Sequence, residues 1–127
     1  MGAICLFATT GSNITGNKVL SAQSNGIAIV AGTSKCNVSS NIITNTNGKN
    51  NIYTPEKGNG ILLDWNGIAD PQYITLTNNN ISSSKGIIGK SGIYSTSNRN
   101  HHNKISGTSA KGYKYGVHWY ALATCGK

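Results

Sequence analysis

Apolar residues enter this chain in short alternating runs, each opened by a glycine: "GAICL" at Gly2, "GIAIV" at Gly26, "GILLD" at Gly60, "GIYST" at Gly92 and "GVHWY" at Gly116. Successive glycines lie 24, 34, 32 and 24 residues apart. A second phrase sets an Asn two residues before a β-branched aliphatic: Asn17 before Val19, Asn41 before Ile43, Asn79 before Ile81 and Asn103 before Ile105, at intervals of 24, 38 and 24. Two independent phrases that share one irregular rhythm define a repeat of about 24 residues, lengthened in the middle turns. Alternation over four or five residues predicts short strands, and a unit holding two or three of them with no helix is one coil of a parallel β-solenoid.

In such a solenoid each strand pairs with its equivalent one coil away, at a rise of about 4.8 Å. Asn at a corner tolerates a left-handed backbone, and its amide can bond to the Asn above, which predicts a ladder of Asn17, Asn41, Asn79 and Asn103. Gly ahead of the strand allows close approach of the next coil. Alternation then divides the Gly-led strands into two faces. Ala3, Cys5, Ile27, Ile29, Ile61, Leu63, Ile93, Ser95, Val117 and Trp119 are the expected interior. Ile4, Leu6, Ala28, Val30, Leu62, Asp64, Tyr94, Thr96, His118 and Tyr120 point the other way. The aliphatic half of that second set is either an association surface or lies beneath the first loops. The insertions, "NTNGKNNIYTPEKGN" from Asn45 and "NGIADPQY" from Asn66, are expected as loops on one side.

Composition agrees with this reading. Only 11% of the 127 residues are charged, and Gly, Asn, Ser and Thr stand where a helical protein carries Glu, Lys and Leu. Eleven basic residues against Glu56, Asp64 and Asp70 give a net charge of +8. That balance suits an acidic partner, or solubility alone. The basic residues are scattered and lack interleaved aromatics, so nucleic acid is not the expected partner. No apolar stretch is long enough to span a bilayer. Cys5, Cys36 and Cys125 cannot all pair within one chain and lack metal-ligand spacing, so buried free thiols are expected.

The Gly-Ile phrases at Gly26, Gly60 and Gly92 and the Asn-x-aliphatic phrases at Asn17, Asn41, Asn79 and Asn103 resemble those of right-handed parallel β-helix proteins of the pectate-lyase-like superfamily, including phage tailspike and capsule-depolymerase domains. The resemblance implies one all-β domain over residues 1–127: a right-handed parallel β-helix of about five coils, shorter than its relatives and expected to be a fragment or one subunit of an oligomer. It further implies a surface that handles polysaccharide, a homotrimer, and a place on a virion tail or a cell surface. The family's calcium-binding carboxylate clusters have no counterpart in three isolated acidic residues, so no cofactor or metal is expected.

Candidate chemistry gathers in the later repeats. Trp65, Tyr94 and Tyr120 offer apolar bodies for sugar rings and polar tips for hydroxyls, and Arg99, His101 and Lys114 can hold a carboxylate. Packing beneath the insertions is the other reading of Trp65 and Tyr94. Asp64 and His118 are the candidates for acid-base work if the glycan is cleaved by a lyase or a hydrolase. Asp70 is the only carboxylate near Asp64, and it sits in a loop beside Pro71. "SKGIIGKS" from Ser84 only mimics a phosphate-binding loop, because a strand pattern follows it where that loop needs a helix. The adjacent pair His101 and His102 is no metal site, since neighbouring strand residues face opposite ways. Binding, cleavage and a purely architectural fibre segment remain the three functional classes.

Overall fold

The computed structural model describes residues 2–46, 58–83, 91–96, 102–113 and 115–119. Thirteen strands are present among them. The first coil holds β1 (Gly2–Phe7), β2 (Asn13–Thr15) and β3 (Lys18–Leu20), and the second β4 (Asn25–Val30), β5 (Asn37–Ser39) and β6 (Ile42–Thr44). The third holds β7 (Ile61–Asp64), β8 (Thr75–Thr77) and β9 (Asn80–Ser82), the fourth β10 (Ser91–Ser95), β11 (Lys104–Ser106) and β12 (Ser109–Lys111), and β13 (Tyr115–Trp119) begins a fifth. They form three parallel sheets: β1-β4-β7-β10-β13, β11-β8-β5-β2 and β12-β9-β6-β3. This is a parallel β-helix, as the repeat predicts.

One core runs up the middle, where each rung repeats its side chains above themselves. Ile27, Ile29, Ile61, Leu63 and Ile93 enter it from the first sheet, Ile14, Val38 and Leu76 from the second, and Val19, Ile43 and Ile81 from the third. The three-residue strands of the second and third sheets each turn only their central residue inward, which is why a β-branched or leucine residue recurs at those positions in every strand but β12, where Ala110 takes it. Gly26, Gly60 and Gly92 lie where the first sheet crosses the third. A Cβ on Gly60 would collide with the Ile81 side chain and stand 2.6 Å from the Gly92 carbonyl oxygen. Space, not backbone freedom, selects glycine there.

Two expectations need correction. The first coil is out of step: Gly2 pairs with Asn25, Ile4 with Ile27 and Leu6 with Ile29, an interval of 23 and not 24. Two residues join Phe7 to Thr10, whereas three join Val30 to Ser34, so the second coil holds one more residue at this corner. A slip of one inverts the strand. Ile4 and Leu6 therefore pack on the core, while Ala3 and Cys5, expected inside, are exposed. Cys5 is thus a free but exposed thiol, and only Cys36 matches the buried state expected; Cys125 lies outside the described residues.

The asparagine ladder also ends differently. Asn17 donates its N–H and side-chain amide to Asn41 Oδ1 at 2.9 and 3.1 Å, and Asn41 does the same to Asn79 Oδ1 at 3.1 and 2.9 Å. Asn79 then donates to the Thr108 hydroxyl, not to Asn103. Ile105 pairs with Leu76 in the second sheet, so Asn103 belongs to the preceding corner. There its Oδ1 accepts the Ile74 N–H and its Nδ2 donates to the Pro71 carbonyl. The left-handed residues are the ones before the ladder members: Gly16, Ser40, Asn78 and Gly107.

A second ladder stands at the entry to the first sheet. Asn59 donates its N–H and Nδ2 to Asn25 Oδ1, and the Ser91 N–H donates to Asn59 Oδ1. Its donors point toward the first coil, opposite to the Asn17–Asn41–Asn79 ladder. The outward side of the first sheet decides between the two readings left open for it. Ala28, Val30, Ala31, Leu62 and Tyr94 form a second buried cluster, so no exposed aliphatic half exists in the second and third coils. At the base of the first insertion the Thr46 hydroxyl donates to the Gly58 carbonyl at 2.5 Å and is hydrogen-bonded to the Tyr113 hydroxyl, 2.7 Å away.

Candidate functional site

The repetition breaks at the corner between the first and second sheets. Two residues cross it in the first coil and three in the second, but seven, Trp65 to Pro71, in the third. The added segment opens with a tight turn. Asn66 and Gly67 have φ of 51° and 72°, and the Ile68 N–H returns to the Trp65 carbonyl at 2.9 Å. Two successive left-handed central residues make this a type I′ turn, whose preferred pair is Asn-Gly. The Gly32 N–H pins the segment through the Ala69 carbonyl at 2.7 Å, and Gln72 rejoins the register opposite Ser34. Trp65 and Ile68 remain 52% and 61% exposed on the outside of this turn.

Beside the turn runs a column of left-handed residues: Gly11, Lys35, Tyr73 and His102. Each stands two positions before a second-sheet strand, and Asn13, Asn37, Thr75 and Lys104 pair in that order, so the four occupy one site on successive coils. The rings of Tyr73 and His102 stack at 4.7 Å with only 3° between their planes. Both are exposed, as is Lys35. The flatness follows from the fold, since identical backbone geometry one coil apart places the two Cβ atoms in parallel at about the strand spacing.

The predicted site residues fall on two surfaces. Asp64 ends β7 beside Trp65, is half-buried, and accepts a 2.6 Å hydrogen bond from the Thr96 hydroxyl. Tyr94 and His118 lie on the outward side of the first sheet, paired across β10 and β13, with an edge-to-face ring contact at 4.9 Å. Tyr94 is buried and offers no open face for a sugar. His118 also leans on Tyr115 at 5.0 Å, and its buried Nδ1 has no hydrogen-bond partner among the described residues. Asp64 is in the row of Thr96 and His118 in that of Leu62, two strands and two residues away. Their backbones are therefore roughly 12 Å apart at ordinary strand spacing and rise. The two candidate acid-base groups are not a hydrogen-bonded pair. Arg99, His101, Lys114 and Tyr120 lie outside the described residues.

Residue type alone does not single out Lys35 or Tyr73, and it marks His102 only as one of an adjacent histidine pair unsuited to a metal. The signal was in the phrases "KCNV", "YITL" and "HNKI", each an outward residue three places ahead of a core aliphatic. Among the described residues, no three His, Cys, Asp or Glu side chains group to hold a metal ion. A cleft of about 320 Å³ at the first coil is lined by Gly2, Ala3, Ala22, Gln23, Ser24 and Asn25, with no titratable side chain among the described residues that line it. The corner of Trp65, Ile68, Tyr73, His102 and Lys35 is thus the surface that combines apolar rings, polar ring edges and positive charge. Comparison with protein-family models, with curated proteins and with solved structures finds no match.

Proposed function

We propose that this corner binds an acidic polysaccharide, on a β-helix of the tailspike type. The observation that carries the proposal is the parallel-stacked, solvent-exposed pair Tyr73 and His102, in one column with Lys35 and beside the exposed Trp65. Stacked aromatic and imidazole rings present hydroxyl and ring-nitrogen edges at regular intervals along the solenoid axis, suited to the hydroxyls of a polymer lying along that corner. Trp65 adds an apolar ring for a sugar face, and Lys35 supplies a compact positive charge for a carboxylate. The +8 net charge draws such a polymer toward the whole surface. Binding fits better than cleavage, because Asp64 is engaged by Thr96 and His118 stands two strands away.

Calorimetric titration with an acidic oligosaccharide and its neutral analogue tests this reading. The acidic ligand is expected to bind more tightly, and increasingly weakly as salt is raised. Tyr73→Ala and Trp65→Ala should each lower the affinity about fivefold, the equivalent of about 1 kcal/mol for a ring contact. Equal affinity for both ligands, or no effect from either substitution, would overturn it.

A further inference from the structure

We infer that Asn66 is a site of spontaneous covalent modification, converting to aspartate and isoaspartate in the folded protein, while two other Asn-Gly pairs of the same chain are held inert by the fold. The sequence contains four such pairs, at Asn25, Asn47, Asn59 and Asn66. Asn47 lies outside the described residues. The remaining three share a dipeptide but not an environment.

Conversion needs two freedoms. The nitrogen of the following glycine must reach the Asn Cγ, and the side-chain amide must be able to turn and leave. At Asn25 and Asn59 both are denied. Their side chains are 1% and 0% exposed, and Asn25 Oδ1 accepts from the Asn59 N–H at 3.0 Å and Nδ2 at 3.1 Å, while Asn59 Oδ1 accepts from Ser91. The attacking nitrogens are committed as well: the Gly26 N–H donates to the Asn59 carbonyl at 3.0 Å, and the Gly60 N–H to the Ser91 carbonyl at 3.1 Å.

At Asn66 neither restraint exists. Asn66 and Gly67 are exposed at the crown of the type I′ turn, and among the described residues neither the Asn66 amide nor the Gly67 N–H has a hydrogen-bond partner. Nothing lies within 4 Å of the position a Gly67 Cβ would take, so the peptide can rotate without obstruction. The turn's own hydrogen bonds run from Ile68 and Ala69 to Trp65 and leave the central peptide unbonded.

The chemistry is closed by water alone. As base removes the Gly67 amide proton, the Gly67 nitrogen forms a bond to Asn66 Cγ; the Cγ–Nδ2 bond breaks and Nδ2 departs as ammonia. The cyclic imide then takes up one water at either carbonyl. One opening leaves an ordinary aspartate, and the other routes the backbone through Cβ as isoaspartate. Both place a negative charge between Asp64 and Ile68, next to Trp65. The extra backbone atom of isoaspartate also breaks the turn's hydrogen-bonding geometry. If the glycan reading is right, and this consequence rests on it, the modified corner repels the acidic polymer.

Folded protein is incubated at mildly alkaline pH and analysed by peptide mapping, with isoaspartyl methyltransferase labelling as a second readout. Acid at position 66 should accumulate at least roughly tenfold faster than at 25 or 59, because reaction at the buried pairs waits for local opening. In denaturant the three rates should converge. Asn66→Gly, which keeps the left-handed turn, should abolish the labelling at that turn. Comparable rates at 66, 25 and 59 in folded protein would overturn the inference, as would an unconverted Asn66 after the denatured chain has reacted. Loss of acidic-oligosaccharide affinity in aged wild-type protein but not in aged Asn66→Gly supports the link to binding. Unchanged affinity despite conversion at 66 refutes the glycan link and leaves the modification standing.

Discussion

Replacing Asn41 by Ala should destabilise the solenoid far more than any single exposed Asn substitution. Asn41 is fully buried and its amide is used on both sides. Its Oδ1 accepts the Asn17 N–H at 2.9 Å and Asn17 Nδ2 at 3.1 Å, and its Nδ2 donates to Asn79 Oδ1 at 2.9 Å and to the Ile14 carbonyl at 3.0 Å. Alanine leaves the Asn17 N–H without an acceptor and the Ile14 carbonyl with one donor fewer. An orphaned inner donor costs about 1–3 kcal/mol and each lost bond about 1, so the expected loss is about 2–4 kcal/mol. That is a large part of an ordinary domain's stability. Asn41→Asp is the sharper control: a carboxylate there meets the Asn79 oxygen and the Ile14 carbonyl with no proton to offer. Protonation relieves it, so this variant should gain stability as pH falls, opposite to a salt-bridged carboxylate. Urea unfolding followed by circular dichroism measures both, with the m-value watched because repeat arrays can unfold in parts. Asn37, which is exposed and donates its side-chain amide to Asn13 Oδ1 at 3.2 Å, is the reference. If Asn41→Ala and Asn37→Ala differ by less than about 0.5 kcal/mol, the ladder is not a main source of stability and the reasoning fails.

Ser91 caps the second ladder with a buried hydroxyl that has no hydrogen-bond partner among the described residues. Ser91→Ala should therefore be neutral or stabilising, and Ser91→Asn should extend the ladder and raise the urea midpoint; a loss above about 1 kcal/mol in the alanine variant would refute the assignment. Burial pushes the Tyr113 phenol above its ordinary value of 10.0, with the hydrogen bond to Thr46 opposing part of the shift. The unfolded chain ionises first, so this contribution is complete below pH ~10 and is lost as pH rises through the folded value. The stability difference between wild type and Tyr113→Phe should shrink over that alkaline interval, and a flat difference would contradict it.

The repeat made the fold legible because a parallel solenoid applies the same demand to every coil. An inward position must be aliphatic, a crowded crossing must be Gly, and a ladder corner must offer an amide or a hydroxyl. Gly26, Gly60 and Gly92 obey the second demand in register. Gly2 has the right letter at the right interval and the wrong place, because one residue fewer crosses the first coil's corner than the second's. Interval counting cannot see a change of loop length hidden within a period. The aliphatics can: aligning Ile4 and Leu6 with Ile27 and Ile29 recovers the observed register. Asn103 failed for a related reason. Thr108, not Asn, meets the ladder's demand in the fourth coil, and the Asn that stands at the matching interval belongs to the corner before it.

The candidate site was harder to read for a physical reason that bears on where function is written in such folds. Gly11, Lys35, Tyr73 and His102 share a backbone conformation and a position, yet nothing in their side chains repeats. A left-handed corner directs its side chain away from the core, so packing places no limit on its identity. The backbone cost of a non-glycine residue there, of order 1 kcal/mol, is carried by the coils on either side. Tyr73, with a bulky side chain at φ of 54°, is an uncommon occupant of that region. The stacking constraint holds such a column to one geometry while leaving its chemistry open. Composition is therefore least informative where the spacing of functional groups is most regular, and aligned corner positions, not conspicuous residue types, are what locate the Tyr73–His102 pair.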